Sequence, residues 1–338
     1  MKTDNHARIS EIKKQYSRDL TILAHHYQQD SIVEHADFLG DSLELARKIP
    51  QLSAKYVLMC GVYFMAESAA ILAGNSQKVY IPHFGAGCVL SEMAPASLLS
   101  YALQRINILS GQKVIPLTYV NTSAAVKAIT GIYGGAVCTS ANARTMLDWA
   151  LQQGDSVLFL PDKNLGQNTA RLLGVPENEQ ALLDLDSMDI SQDKQLYIWP
   201  GYCDVHERMK PEHILNVRKN YPGVRVIVHP ECSSEVVDKA DASGSTSEII
   251  QYVREKEKGS SICIGTETNM VQRLAKQYQG VKHIFPLLDI HCKDMAKINP
   301  ENLLNTLQGL GQDSWIFVDA QTQKAASLAL ERMLQVCG

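Results

Sequence analysis

Several classes are excluded by what this sequence lacks. Its eight cysteines among 338 residues are far too few for a disulfide scaffold, and no CxxC pair gives them a local metal-binding spacing. No apolar run can span a bilayer: the longest, residues 56–66, has 11 residues, whereas a membrane helix needs about 20. The first twenty residues alternate charges and hold no apolar segment of a signal peptide, so neither membrane nor export is expected and the location should be cytoplasmic. There is no basic excess: 32 Lys and Arg face 36 Asp and Glu, a net charge of −4, so nucleic acid is not an expected partner. P-loop, G-x-S-x-G and H-E-x-x-H patterns are missing too. Gly85-Ala86-Gly87 lacks the third glycine of a dinucleotide fingerprint, and Gly134-Gly135 precedes a strand instead of following one.

What is present reads as an ordinary globular chain, 45% hydrophobic and 20% charged, of a length that suits two or three domains. Short β-branched runs alternate with stretches of helical period, the order of β-α-β units with parallel sheets. The fold class is α/β. The predicted strands are 20–24, 56–60, 79–82, 114–120, 136–139, 156–161, 196–200, 224–229, 261–265, 283–286 and 315–318. Their continuous hydrophobicity suits strands buried on both faces.

A repeat organises these strands. Shifting the chain by 204 residues, without a gap, lays His25 on His229, Ala36 on Ala240, Asp37 on Asp241, Gly40 on Gly244, Glu44 on Glu248, Gly61 on Gly265, Lys78 on Lys282, Pro82 on Pro286 and Cys88 on Cys292. A middle unit follows the same order more loosely and ends at Cys203. It is longer, and its excess falls near residues 174–193, where six acids and no bases predict a solvated excursion. The expected units are 1–110, 111–215 and 216–338 with the C-terminal tail. Units this small bury their sheets poorly alone and should pack into one body.

The repeat also sorts the cysteines. Cys88 and Cys292 are equivalent, and Cys203 holds the corresponding place in the middle unit, whereas Cys60 maps onto Ile264, Cys263 onto Met59 and Cys232 onto Gln28. Cys60, Cys138 and Cys263 read as buried apolar residues and Cys337 as a bystander. Cys232 stays open between the two kinds. Three equivalent strand ends packed around a pseudo-threefold axis would present three thiolates to one point, which suits zinc or an iron–sulfur cluster with one position free. Three unrelated core cysteines are the bland alternative.

Ligands of open parallel sheets bind at the carboxyl ends of the strands. There, the first strand of each unit carries polar residues at i and i+2, on one side of the chain: His25 and Tyr27, Tyr119 and Asn121, His229 and Glu231. After the second strand of each unit comes a short hydroxyl segment before a helix, containing Ser42, Ser140, and Ser245 with Thr246. These residues read as N-caps, and Ser245 with Glu248 as a capping box. Helix N-termini around one cavity also bind carboxylates or phosphate, so a small, multiply anionic substrate is expected. His26, His35, His83, His213, His283 and His291 read as surface or capping residues.

With these residues identified, the chain resembles the quinolinate synthase family (NadA) over nearly its whole length. The matching segments are AHHYQ (24–28), ADFLGDSLELA (36–46), GVYFMAESA (61–69), AGC (86–88), YVNTSAAVKA (119–128), CTSANA (138–143), FLPDKNLG (159–166), WPGYCDVHE (199–207), HPEC (229–232), GSTSEII (244–250), GTETNM (265–270) and CKDM (292–295). The resemblance implies three pseudo-threefold-related, three-layer α/β units with parallel sheets around a central [4Fe–4S] cluster held by Cys88, Cys203 and Cys292. It implies condensation of iminoaspartate with dihydroxyacetone phosphate to quinolinate, releasing phosphate and water, in NAD biosynthesis, with L-aspartate oxidase as the imine supplier. The implied substrate contacts are His25, Tyr27, Ser42, Tyr119, Asn121, Ser140, His229, Glu231 and Thr246. Some members carry a CxxCxxC run at the third ligand; Asp294 and Met295 stand here instead, so thiol–disulfide regulation by that run has no basis in this chain.

Within this reading the iron lacking a cysteine acts as a Lewis acid. Glu231 or Tyr27 serves as acid and base, with His229 as orienter or proton relay. Ser42, Ser140, Ser245 and Thr246 would bind carboxylates and phosphate, while His25, Tyr119 and Asn121 would orient the dicarboxylate. The competing readings are another [4Fe–4S]-dependent hydro-lyase of a small dicarboxylate, an iron–sulfur sensor and a zinc protein.

Overall fold

The computed structural model describes residues 2–187, 193–312 and 314–337. Three parallel sheets carry the fold. The first is built from β1 (Leu20–His25), β2 (Phe38–Gly40), β3 (Tyr56–Cys60) and β4 (Lys78–Tyr80) in the order β2-β1-β3-β4. The second contains β5 (Val114–Tyr119), β6 (Ala136–Cys138), β7 (Ser156–Leu160), β8 (Gln180–Leu182) and β9 (Leu196–Ile198) in the order β6-β5-β7-β9-β8. In the third, β10 (Arg225–Val228), β11 (Ala242–Ser243), β12 (Ser261–Gly265) and β13 (His283–Pro286) run β11-β10-β12-β13. With β8 set aside the three orders are the same, so the repeat read from the sequence is a repeat of topology. Every residue of β1, β3, β5 and β7 is buried, as parallel strands covered on both faces require.

The differences from expectation lie at the edges. Residues 315–318 form no strand. They run extended beside β4, where Ile316 N–H donates to the Val79 carbonyl at 2.7 Å, and one such bond makes no ladder. β2 and β11 escaped prediction because these short edge strands are largely exposed and carry no buried apolar run of the kind that marks β4, β6 and β9. The acidic excursion is not wholly solvated: it holds β8, which extends the outer edge of the second sheet, and Val175 and Leu183 are buried. Residues 188–192 of that excursion lie outside the described residues. His26 and His35 are buried, not superficial.

One apolar core joins the first two sheets with both terminal segments, and the third sheet has an apolar cluster on each face. Cys60, Cys138 and Cys263 are buried among apolar side chains as expected, and Cys232 joins them, its Sγ 3.6 Å from Met209 Sδ. The closing helix Ala320–Cys337 lies across the helix Ala124–Ile132 at Gly131, where a Cβ would stand 1.9 Å from the Ala325 carbonyl oxygen. At the far end of the closing helix Cys337 is engaged by the helix Ala143–Leu151 and its cap, its Sγ accepting from Asn142 Nδ2 at 3.3 Å and lying 3.5 Å from Met146 Sδ. Among the described residues no helix is long and apolar enough to cross a membrane.

Candidate active site

The carboxyl ends of the central strands meet at one cavity. His25, Tyr27, Ser42, Cys88, Tyr119, Asn121, Ser140, Cys203, His229, Glu231, Thr246 and Cys292 all line it, together with Asp41, Asp294, Met295 and an apolar wall that includes Val62, Phe64 and Met65. Ser245 does not. Its Oγ accepts the Glu248 N–H at 3.3 Å and caps the helix Thr246–Glu255, while Glu248 returns the bond to Ser245 N–H at 2.7 Å. Ser42 likewise opens the helix Ser42–Lys48, whose cap is the neighbouring Asp41. Ser140 departs from this pattern: it lies in a turn, and its helix begins only at Ala143. The lining includes neither lysine nor arginine and does include the carboxyl groups of Asp41, Asp204, Glu231 and Asp294, so its own side chains offer anionic groups hydroxyls and imidazoles but no fixed cation.

The three cysteines occupy equivalent turns. The carbonyl of Cys88 accepts from Glu92 N–H at 3.2 Å, that of Cys203 from Glu207 at 2.9 Å and that of Cys292 from Ala296 at 3.0 Å. All three are free thiols. Burial raises the Cys292 thiol to about 11 and those of Cys88 and Cys203 further, with Glu231 adding to the rise at Cys203. No lysine or arginine of the cavity wall is there to balance a thiolate. Three soft donors lining one cavity, each partly exposed to it, fit a cationic iron–sulfur group that leaves one iron short of a cysteine, because metal binding is what deprotonates such thiols.

Beside them runs a polar chain. His25 Nδ1 accepts the Tyr27 N–H at 3.1 Å, and His229 Nδ1 stands 3.4 Å from the Glu231 amide in the same hook. Glu231 Oε2 lies 2.8 Å from His206 Nδ1 and 3.1 Å from His229 Nδ1, and the two rings stack at 4.4 Å. His206 Nε2 is 3.1 Å from Thr266 Oγ1, which is 2.6 Å from the Tyr27 hydroxyl. These close contacts run from Glu231 towards Tyr27, but His206 Nδ1 is buried without a hydrogen-bond partner, so its 2.8 Å approach to Oε2 is an ion-pair contact and not an aligned hydrogen bond. Burial alone would raise the Glu231 carboxyl, but His206 and His229 more than offset it and hold it well below the usual carboxylate range. Burial, aided by His26 and His229, lowers His25 to about 3. Burial and then Glu231 push the Tyr27 and Tyr119 phenols up. At neutral pH the cavity therefore holds an ionised Glu231, a neutral His25 and protonated tyrosines. Glu231 Oε1 is buried without a hydrogen-bond partner.

The segment 159–166 has a structural use the sequence did not reveal. Asp162 caps the helix Lys163–Leu173 by accepting from Leu165 N–H at 2.7 Å, and its second oxygen accepts from Cys203 N–H at 3.1 Å. From the same helix Asn164 donates to the Glu231 carbonyl at 3.0 Å, while Asn168 donates to the carbonyls of Pro230 and Cys232 at 2.8 and 2.9 Å. The second unit thereby fixes a ligand turn of its own and the His229–Glu231 hook of the third. His206, Thr266, Asp162 and Asn164 were all missed. A signal existed for His206, which follows Cys203 by three places as Ser91 follows Cys88 and Met295 follows Cys292. Its chemistry differs from both, so the repeat concealed it.

The chain matches the protein family described as quinolinate synthetase A protein over residues 7–335. It belongs to that family. Within it, the chain is 41% identical over 341 residues to the quinolinate synthase of Listeria innocua, covering 98% of this chain and 93% of that protein. It is 42% identical over 343 residues to the quinolinate synthase of Lysinibacillus sphaericus, with the same coverage, and 40% identical over 345 residues to that of Acidobacterium capsulatum, covering 98% and 92%. Iron–sulfur binding is a property of the quinolinate synthetase A family, and the three-thiol cavity supplies donors of the right kind for it.

Proposed function

We propose that this chain is a quinolinate synthase: it condenses iminoaspartate with dihydroxyacetone phosphate, releases phosphate and water, and delivers quinolinate to NAD biosynthesis. The carrying observation is the single cavity at which three equivalent cysteines and three strand-end polar pairs converge. Because the reaction joins two substrates with loss of phosphate, the enzyme is a transferase. Iminoaspartate is an unstable imine, so an amino-acid oxidase acting on L-aspartate is its supplier.

Cys88, Cys203 and Cys292 would hold a [4Fe–4S] cluster, which supplies, when bound, a Lewis-acidic iron without a cysteine ligand. The chain's own residues do the rest. The side chains of Ser42, Ser140 and Thr246 bind the carboxylates and the phosphate; His25, Tyr119 and Asn121 orient the dicarboxylate. Ser245 serves this subsite indirectly, by capping the helix that presents Thr246.

Proton transfer follows the polar chain. Ionised Glu231 accepts a proton, with Oε1 as the atom left free for it. His206 lies between Glu231 and Thr266 and passes a proton between them only once its ring turns to align Nδ1, which has no hydrogen-bond partner at rest, with Glu231. Protonated Tyr27 donates at the far end, where Thr266 resupplies it. His229 Nδ1 accepts the Glu231 amide N–H and lies 3.1 Å from Oε2, and with His206 it favours the ionised carboxylate. The apolar wall limits competing hydrolysis of the imine.

The test is direct. Anaerobically purified protein supplied with iminoaspartate and dihydroxyacetone phosphate should yield a pyridine dicarboxylate with stoichiometric phosphate. Dehydration of a dicarboxylate without ring formation would replace this reading with that of a hydro-lyase.

A further inference from the structure

A second group of ligating side chains lies away from the cavity. His6 belongs to the first helix, Lys2–Tyr16, and Glu34 and His35 follow the short helix Asp30–Val33. One ligand atom from each lies within 4.8 Å of the other two. Glu34 Oε1 is the hub, 3.1 Å from His6 Nδ1 and 3.8 Å from His35 Nε2. The longer distance is no hydrogen bond. His35 is only 3% exposed, and its Nε2 is buried with no hydrogen-bond partner, an arrangement that is unfavourable if nothing else meets it.

We propose that His6, Glu34 and His35 form a zinc-class metal site that pins the first helix to the segment following β1. Two imidazoles and one carboxylate, with water completing the shell, are a borderline donor set that favours Zn²⁺ over Ca²⁺ or Mg²⁺. It contains no sulfur and is chemically distinct from the thiol cavity. Ligands on tetrahedral zinc stand about 3.3 Å apart, and His6 and Glu34, both exposed, are free to swing the remaining distance while His35 stays fixed. The cation Lys13 does not oppose the site strongly. It is committed to the His35 carbonyl at 2.6 Å and to Asp37 at 2.8 Å. Lys13 and the proposed metal would tie the same helix to the same segment, whose other end is held by Arg273 through Asp30 and the carbonyls of His26 and Gln28.

The experiment uses cluster-loaded enzyme kept anaerobic and freed of zinc by mild chelation. After dialysis against Zn²⁺ at micromolar free concentration, zinc and iron per chain and the thermal unfolding temperature are measured for wild type, His6→Ala and Glu34→Gln. Wild type should take up about one zinc per chain with its iron unchanged, and unfold a few degrees higher. Both variants should bind at least about tenfold more weakly and lose the thermal shift, while making quinolinate at the wild-type rate. Absence of uptake by wild type, or equal uptake by all three proteins, overturns the proposal.

Discussion

The hydroxyl of Tyr27 stands 2.6 Å from that of Thr266, 239 residues along the chain. This contact joins the strand end of the first unit to the loop after β12 in the third, and Thr266 links His206 to Tyr27. Thr266→Val keeps the volume and removes the hydroxyl. The expected result is a fall in kcat of about 10² or more, the usual worth of a positioned proton donor or acceptor, with little change in KM for either substrate. Thr266→Ser should recover most of the rate. Full activity in the valine variant would sink the relay.

Cys203 and Cys138 offer a matched comparison in the second unit. Cys203 lines the cavity and has its amide held by Asp162; Cys138 closes β6, fully buried among apolar side chains. Cys203→Ala should lose most of its iron and all quinolinate formation. Cys138→Ala should retain both and lose only stability, by about 1 kcal/mol for the sulfur's packing. Retained iron and activity in Cys203→Ala are incompatible with the ligand assignment.

How far the sequence could be read follows from what it repeats. His25 and His229, and Cys88 and Cys292, are legible because the same backbone position carries the same chemistry twice, and the sheet orders confirm that equivalence. His206 sits at an equally repeated place whose counterparts are Ser91 and Met295, so comparison between units could not single it out. Thr266, Asn164 and Asn168 act through contacts between units, and no local period records which loops face each other. The unassigned 315–318 segment shows the converse limit. Its apolar residues suggest a strand, but among the described residues it forms no ladder with β4 beyond the Ile316–Val79 bond.

The buried imidazole of His25 makes stability depend on pH. In the unfolded chain it takes a proton near 6.5, whereas in the folded protein it does so only near 3. Between these values the unfolded state binds more protons, so stability rises with pH and is fully present above about 6.5. Lowering the pH from 7 to 5 should therefore remove about 2 kcal/mol through this residue alone, with His206, also lowered by burial, acting in the same direction. Denaturant midpoints at the two pH values measure the loss. His25→Gln should flatten the dependence, and an undiminished slope in that variant would assign it elsewhere.

Gly131 is where the end of the chain locks onto the second unit. A Cβ at this position would stand 1.9 Å from the Ala325 carbonyl oxygen and 3.3 Å from Leu328 Cβ, and a backbone oxygen cannot move aside as a flexible side chain would. Arg332 donates to the Gly131 carbonyl at 3.1 Å on the same face, so displacing the closing helix also breaks that bond. Gly131→Ala should accordingly destabilise the protein by about 1–3 kcal/mol, even though alanine is the better helix former. Thermal unfolding reads the loss, and limited proteolysis should release a fragment ending near residue 320 from the variant and not from wild type. The cavity lies at the carboxyl ends of the strands and does not include this crossing, so iron content and the initial rate of quinolinate formation should stay close to wild type at low temperature. A variant as stable as wild type would mean that the two helices do not meet at Gly131 in solution.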